Sequence, residues 1–127
     1  MGVLRTGYVV EGRYRVLRCI ETGGMGAVYE VLDERIRHRR ALKVMHPLLL
    51  EDPTLRARFA LEARITGDVE SDHLVNVLDA GVEEGENLPF IVMERLRGES
   101  LGSLLRGHGP LDPDDAVLFL WQAALGI

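Results

Sequence analysis

The stretch from Ile20 to Tyr29 reads Ile-Glu-Thr-Gly-Gly-Met-Gly-Ala-Val-Tyr, with three glycines in four residues between two β-rich segments. Those segments, 14–20 and 27–32, are rich in Val, Ile, Leu and Tyr, which favours strands. Glycine lets a backbone approach a ligand closely, and N–H groups that point inward suit phosphate oxygens. An isolated glycine-rich turn is more often an ordinary hairpin, so the residues around it decide between the two interpretations.

Two other phosphate-binding motifs do not fit this stretch. In a dinucleotide-binding loop the glycines open a helix, whereas 27–31 reads as a strand. A Walker A loop needs Gly-Lys followed by Ser or Thr, and the chain has no such tripeptide. The sequence therefore predicts a glycine-rich hairpin.

The chain has fourteen arginines but a single lysine, Lys43, which lies in the apolar segment 41–44. A compact ammonium on a flexible stem is not interchangeable with a planar guanidinium where space is tight and the partner is a phosphate. The sequence therefore indicates a specific role for Lys43. The alternative is an arginine-rich composition with one chance lysine.

A helix is predicted over 53–66, with Asp52 as its N-cap, Pro53 first and Gly67 at its end. Glu62 falls on its apolar face, where a carboxylate is costly unless it is paired. We therefore predict an ion pair between Glu62 and Lys43; the alternative is a surface glutamate on a misassigned face. The residues assigned to this face, at spacings of three and four, are Leu55, Phe59, Glu62, Ala63 and Thr66.

Five motifs together resemble the N-terminal lobe of a bacterial eukaryotic-like serine/threonine protein kinase. Each is weak alone, but their order and spacing are specific, and the resemblance runs from about Tyr14 to the last residue. The motifs are the loop 23–29, Ala-Leu-Lys at 41–43, Arg-Phe with Glu-Ala at 58–59 and 62–63, the pair of segments 72–75 and 79–81, and the pair 89–94 and 98–101.

The pattern and the resemblance predict an α+β fold. A five-stranded antiparallel sheet, with one helix packed on it, is followed by two helices of an incomplete C-terminal lobe. The expected strands are 14–20, 27–32, 40–44, 74–80 and 88–93. The expected units are an N-terminal extension (1–13), the kinase N-lobe (14–94), a hinge linker (95–99) and a truncated start of the C-lobe (100–127).

The resemblance implies an ATP site in which the glycine-rich loop covers the phosphates. Lys43 would contact the α- and β-phosphates and Glu62 would hold Lys43 in place, which makes these two the expected catalytic residues. The expected nucleotide-binding residues are Ile20, Glu21, Thr22, Gly23, Gly24, Met25, Gly26, Val28, Ala41, Lys43, Met93, Glu94, Leu96 and Ser100.

Within that set the family implies a role for each group of residues. Val28 and Ala41 would sandwich the adenine, and Met93 would be the gatekeeper. The backbone of Glu94 and Leu96 would bond the adenine edge. Ser100 lies where the family often touches the ribose, and Thr66 and Val77 fall where it builds a hydrophobic spine.

Two departures from the family pattern affect function. Glu21 occupies the first glycine position of the loop, where a negative charge beside a triphosphate should weaken binding. The His-Arg-Asp motif with its metal-binding Asn, and the later Asp-Phe-Gly, do not occur in the 127 residues. We therefore expect no metal ligand in this chain, Mg²⁺ only through the ATP phosphates and the C-lobe, and no kinase activity from 1–127 alone.

Composition narrows the functional classes further. A net charge of −5 and a pI near 5.3 argue against a nucleic-acid surface. No apolar segment is long enough to cross a membrane, so no membrane segment is expected. The single cysteine, Cys19, fits a reducing cytoplasm.

The last predicted helix begins after Asp112 and is apolar nearly all round from 116 to 125. Such a helix is buried on all sides, so a C-terminal lobe is expected to pack on 112–127. The implied partners are ATP, a protein substrate of the complete kinase and that lobe. The family also forms N-lobe dimers, although no residue here is singled out for one.

Three hypotheses for function remain open at this point. The first is the ATP-binding portion of a serine/threonine protein kinase. The second is a non-catalytic nucleotide-binding or regulatory module derived from a kinase. The third is an unrelated antiparallel domain with accidental motifs.

Overall fold

The computed structural model describes residues 4–24, 26–68, 71–85 and 87–126. Nearly half of these residues belong to one antiparallel sheet or to the helix that packs on it. The strands are β1 (Val9–Val10), β2 (Tyr14–Thr22), β3 (Gly26–Asp33), β4 (His38–Met45), β5 (Val77–Glu83) and β6 (Leu88–Glu94). Their order across the sheet is β1-β2-β3-β4-β6-β5.

The five predicted strands are all present with bounds that differ by up to three residues, and the two largest differences concern β1 and β5. β1 is a sixth strand of two residues, in which Val10 pairs with Tyr14; it is too short to leave a periodic signal. β5 begins at Val77 rather than at residue 74. Just before it, Asn76 bonds Glu94 of β6 through one backbone bond and one bond from its N–H to the Glu94 side chain, so the regular strand pairing begins only at Val77.

The two faces of the sheet bury separate clusters. Alternation along β4 sends Leu42 and Val44 to one face and Ala41, Lys43 and Met45 to the other. The larger cluster, on the first face, consists of Leu4, Val10, Tyr14, Val16, Ala27, Tyr29, Val31, Leu42, Val44, Leu88, Phe90 and Val92. The smaller one comprises Met45, Phe59 and Ile91, with partly buried neighbours around them.

The long helix, α1 (Pro53–Asp68), packs on the face that carries the smaller cluster. Asp52 caps it as predicted, since its Oδ1 accepts from the N–H of Thr54 at 2.9 Å. The helix continues to Asp68, so Gly67 lies inside it and does not end it. A short 3-10 helix, Pro47–Leu49, precedes it.

Two further helices follow the sheet: α2 (Leu101–His108) and α3 (Pro113–Leu125). Ser100 and Asp112 cap them, each accepting a bond from a backbone N–H of the first turn. No residue of α3 is buried, and Trp121 is 60% exposed. The described part of the chain therefore does not cover the apolar surface of α3.

Candidate active site

Lys43 and Glu62 form the ion pair that the sequence predicts. The Lys43 Nζ lies 2.9 Å from Oε1 and 3.1 Å from Oε2 of Glu62, so the ammonium donates to both carboxylate oxygens. β4 supplies the lysine and α1 the glutamate, and the pair therefore joins the helix to the sheet. The alternative, a surface glutamate on a misassigned face, is right about the exposure of Glu62, but the glutamate is nevertheless paired with Lys43.

The pair is open to solvent, which corrects part of the sequence interpretation. The side chains of Lys43 and Glu62 are 27% and 46% exposed. The buried anchor of α1 is Phe59, with Leu55 and Ala63 packed beside its cluster, so Glu62 lies at the edge of the apolar face and not within it. Ion pairs this exposed contribute ~0–1 kcal/mol to stability. The pair is better suited to hold the ammonium in place than to stabilise the fold.

The strand register assembles several predicted site residues on the face that carries Lys43. Val28 of β3 pairs with Lys43, and Glu21 of β2 pairs with Val28. On the other side of β4, Ala41 pairs with Met93. Because paired residues on neighbouring strands share a face of the sheet, these residues form one continuous surface. Val28, Ala41 and Met93 give it an apolar part beside the single ammonium.

The glycine-rich stretch forms the turn between β2 and β3. The Gly23 N–H donates to the Gly26 carbonyl at 2.8 Å, which closes the turn. A Cβ on Gly26 would lie 1.9 Å from the Val44 carbonyl oxygen, whereas a Cβ on Gly23 or Gly24 would meet no atom within 4 Å. The packing of β3 against β4 thus requires Gly26, while the other two glycines leave open space on the exposed side of the turn.

The remaining β2 residues of the predicted site, Ile20 and Thr22, are exposed. Met25, which the sequence analysis assigned to the same site, lies outside the described residues. Thr22 pairs with Ala27, a member of the larger buried cluster, so its side chain lies on the face of the sheet opposite Lys43, and its assignment to the site is not supported.

The linker after β6 is fastened to the segment that precedes β5. The Glu94 N–H donates to the Asn76 carbonyl at 3.0 Å, and the Asn76 N–H donates to Glu94 Oε1 at 3.1 Å. A ligand could therefore use the carbonyl of Glu94 but not its N–H. Leu96 is 70% exposed, and Ser100 accepts from the Ser103 N–H, so its hydroxyl can still donate to a ligand.

Met93 and Val77 pack against the small buried cluster that joins α1 to the sheet. That cluster contains Phe59 of α1 and Ile91 of β6. Met93 and Val77 occupy the positions at which the family resemblance implies a gatekeeper and a spine residue. The side chain of Thr66, the other expected spine residue, lies outside the described part of the chain.

Sequence reasoning missed a buried carboxylate next to this surface. Glu30 of β3 pairs with Ala41 and is only 3% exposed. Its oxygens accept from Arg18 at 3.2 Å, from Arg39 at 3.2 Å and from Arg95 at 2.8 Å. Burial raises the pKa of Glu30, but the bond and charge of Arg95, with the charge of Arg18, outweigh it and hold the pKa below its ordinary value. The sequence feature that could have revealed this buried carboxylate is an acidic residue inside an otherwise apolar strand.

A second buried carboxylate, Asp33, lies at the far end of β3. Arg13 donates to both of its oxygens, at 2.8 and 3.0 Å, and this pairing holds the pKa of Asp33 below its ordinary value against the opposing effect of burial. Nearby, the Tyr14 hydroxyl donates to Asp79 at 2.6 Å, and burial raises the pKa of Tyr14. The Arg13 contacts tie the start of β2 to the end of β3, and the Tyr14 bond ties β2 to β5.

Among the described residues no group of three or more His, Cys, Asp or Glu side chains could hold a metal ion. In the same part of the chain, no helix has the length and apolar character needed to span a bilayer.

Several bacterial kinases are similar to the chain in sequence. It is 39% identical over 121 residues to the serine/threonine-protein kinase PknA of Mycobacterium tuberculosis. This alignment covers 93% of the chain and 28% of PknA. It is 37% identical over 116 residues to PknD of the same organism, covering 91% of this chain and 17% of PknD. The probable kinase pknA2 of Bifidobacterium longum is 39% identical over 104 residues, or 80% of this chain and 14% of pknA2. No protein-family model matches the chain.

Solved kinase domains are similar in fold. The kinase domain of Mycobacterium tuberculosis PknI matches with a TM-score of 0.81 and 26% identity, covering 96% of this chain and 48% of that one. A second crystal structure of the same domain matches with a TM-score of 0.77 and 27% identity, over 98% of this chain and 50% of that one.

An antiparallel sheet with one packed helix, whose lysine–glutamate pair lies beside a glycine-rich hairpin, is the arrangement of a protein kinase N-lobe. The chain belongs to the bacterial eukaryotic-like serine/threonine protein kinases and corresponds to the N-lobe with the beginning of the C-lobe. It spans less than a third of the length of the relatives that it matches in sequence, and about half of the PknI kinase domain.

Proposed function

We propose that the chain is the ATP-binding portion of a kinase that transfers the γ-phosphoryl group of ATP to serine or threonine in a protein. The observation that carries this proposal is the bidentate contact of the only lysine with Glu62, on the sheet face that borders the glycine-rich turn. A positioned ammonium stabilises negative charge on phosphate oxygens during phosphoryl transfer.

The residues present fit a nucleotide. Val28, Ala41 and Met93 offer an apolar surface for the adenine, and the linker after Glu94 offers backbone groups for its polar edge. The open space around Gly23 and Gly24 would accommodate phosphates. ATP supplies the transferable group and carries the Mg²⁺ with it. Lys43 would hold the α- and β-phosphates, and Glu62 would hold Lys43.

The catalytic base and the protein ligands of the metal are proposed to come from the C-lobe of the complete kinase domain. The 127 residues contain no His-Arg-Asp and no Asp-Phe-Gly. The exposed apolar side chains of α3 suit packing against that lobe. We propose a cytoplasmic location, where ATP is available, and an N-lobe dimer as a further partner by family likeness.

One observation favours a second candidate, a nucleotide-binding or regulatory module without phosphoryl transfer. Glu21 is exposed and pairs with Val28, so its carboxylate belongs to the surface proposed for the nucleotide. A negative charge there opposes binding of a triphosphate. A site with weakened ATP affinity would suit regulation better than turnover.

The test is calorimetry of Mg·ATP with the full chain and with Lys43→Met. A charged hydrogen bond is worth ~1.5–3 kcal/mol, so the variant should bind about 10–100-fold more weakly. Arg40→Met is the matched control. Arg40 is a cation of the same strand but lies on the opposite face of the sheet, so the Arg40→Met variant should bind Mg·ATP as tightly as the wild type does. Equal affinity in Lys43→Met would contradict the proposal. In a complete kinase domain built on this lobe, Lys43→Arg should lose activity, because a guanidinium cannot take the ammonium's place.

A further inference from the structure

The buried carboxylate of Glu30 lies between the sheet and the linker. Its three arginine partners come from different places: Arg18 from β2, Arg39 from β4 and Arg95 from the residue that follows β6. A carboxylate this buried needs such partners, because an unpaired one would be strongly destabilising. The contact with Arg95 is the shortest, at 2.8 Å, and joins residues 65 apart in sequence.

The three arginines differ in how much they are held. The side chains of Arg18 and Arg39 are 61% and 60% exposed, whereas Arg95 is 29% exposed. Arg18 and Arg39 also lie in strands that the sheet already fixes through backbone pairing. Arg95 lies just after the last paired residue of β6, Glu94, where no strand partner holds the backbone. Only the Arg95 contact therefore adds a constraint that the sheet does not supply.

Arg95 stands between the two linker residues whose backbone faces the proposed nucleotide, Glu94 and Leu96. On one side the linker is held by Glu94 and Asn76, which bond each other twice. On the other side it is held by the contact of Arg95 with Glu30, whose strand neighbour Ala41 belongs to the proposed adenine surface. The two attachments together fix the linker relative to the sheet.

We propose that Glu30 and Arg95 are positioning residues for the adenine: their ion pair holds the linker at the distance from the sheet that the ring requires. The inference rests on the proposed function of the site as a nucleotide site. Both would act through the linker and not by contact with the nucleotide. When the linker is already ordered in the free protein, nucleotide binding loses less free energy to the ordering of the linker.

The experiment compares Arg95→Met with Arg18→Met and Arg39→Met in the full chain. Each variant removes one partner of Glu30, so all three lose some stability toward urea, but only a positioning role of Arg95 predicts a loss of nucleotide affinity that is confined to one of them. We expect Arg95→Met alone to weaken Mg·ATP binding, by about tenfold, with Arg18→Met and Arg39→Met within about twofold of the wild type. Arg95→Lys, which keeps the charge, should recover part of the affinity.

Two further measurements separate positioning from other effects. Adenosine, which has no phosphate, should lose affinity for Arg95→Met by the same factor as ATP, since the linker contacts the base. Amide hydrogen exchange without nucleotide should speed up at 96–99 in Arg95→Met and stay unchanged there in Arg39→Met.

The outcomes are distinguishable. Equal ATP affinity of Arg95→Met and wild type, or equal losses in all three arginine variants, would overturn this inference and leave the proposed function standing. A wild-type chain that binds no nucleotide would overturn both. A loss for ATP without a loss for adenosine would show that Arg95 acts on the phosphates and would also overturn the inference.

Discussion

Replacing Gly26 by alanine should destabilise the fold far more than the same change at Gly23 or Gly24. The added Cβ at residue 26 would lie 1.9 Å from the Val44 carbonyl oxygen and 3.2 Å from the Met45 Cα. An ordinary contact begins near 3.4 Å, so the oxygen is about 1.5 Å too close. Because the obstacle is backbone, no side-chain rotation relieves it, and β3 must move away from β4.

The cost follows from the two effects of that movement. Overpacking of a tight site costs ~1–3 kcal/mol, and a weakened strand hydrogen bond adds ~1 kcal/mol. We expect a total loss of roughly 3 kcal/mol. With a urea slope of about 1.5 kcal/mol per M, the unfolding midpoint should fall by about 2 M.

The controls are Gly23→Ala and Gly24→Ala, which should change stability in the opposite direction. Neither position has a left-handed φ or an atom within 4 Å of the added Cβ. Alanine there restricts the unfolded chain and should stabilise the protein by ~0.4–1 kcal/mol, while a methyl group in the open space should weaken Mg·ATP binding. If Gly26→Ala unfolded at the same urea midpoint as the wild type, this account of the hairpin would be refuted.

Three other predictions follow from the site and the surfaces. Glu21→Gly should tighten Mg·ATP binding in calorimetry by ~1 kcal/mol, and Glu21→Gln should reproduce the part due to charge; unchanged affinity in both would mean that the carboxylate points away from the nucleotide. Because the pKa of Asp33 is lowered in the folded state, its ionised carboxylate stabilises the fold at pH values above the ordinary pKa of 3.8, and this stabilisation is lost as the pH falls below 3.8. In an acid titration, the stability of Asp33→Asn should therefore fall less steeply than that of the wild type. The exposed α3 should make the chain self-associate in light scattering, and ending it near Gly109 should improve solubility; a monodisperse monomer with a buried Trp121 would contradict this.

The sheet and the Lys43–Glu62 pair were predictable because each depends on a local pattern. Alternating apolar residues marked the strands, and a capped helix with one carboxylate near its apolar face pointed to the only ammonium. The approximate spacing could not tell whether Glu62 lay on that face or at its edge, because one step along a helix turns a side chain by about 100°.

The Glu30 cluster could not be predicted, because its partners are chosen by the fold. Fourteen arginines offer too many possible partners for one carboxylate, and Arg95 is brought to Glu30 only when β6 joins the sheet beside β4. The sequence did not predict β1 because a strand of two residues is too short to show an alternating apolar pattern. The start of β5 was placed too early because Leu74 and Val75 are apolar but precede the strand.

The segment before Tyr14 has a practical consequence for anyone who prepares this lobe. Leu4 and Val10 belong to the larger buried cluster, and the Leu4 N–H donates to the hydroxyl of buried Tyr29 at 2.8 Å. An expression boundary drawn where the kinase resemblance begins would delete β1 and open that cluster to water. Affinity tags and protease sites are therefore better placed ahead of Leu4, and limited proteolysis near Glu11 would report on the integrity of the core.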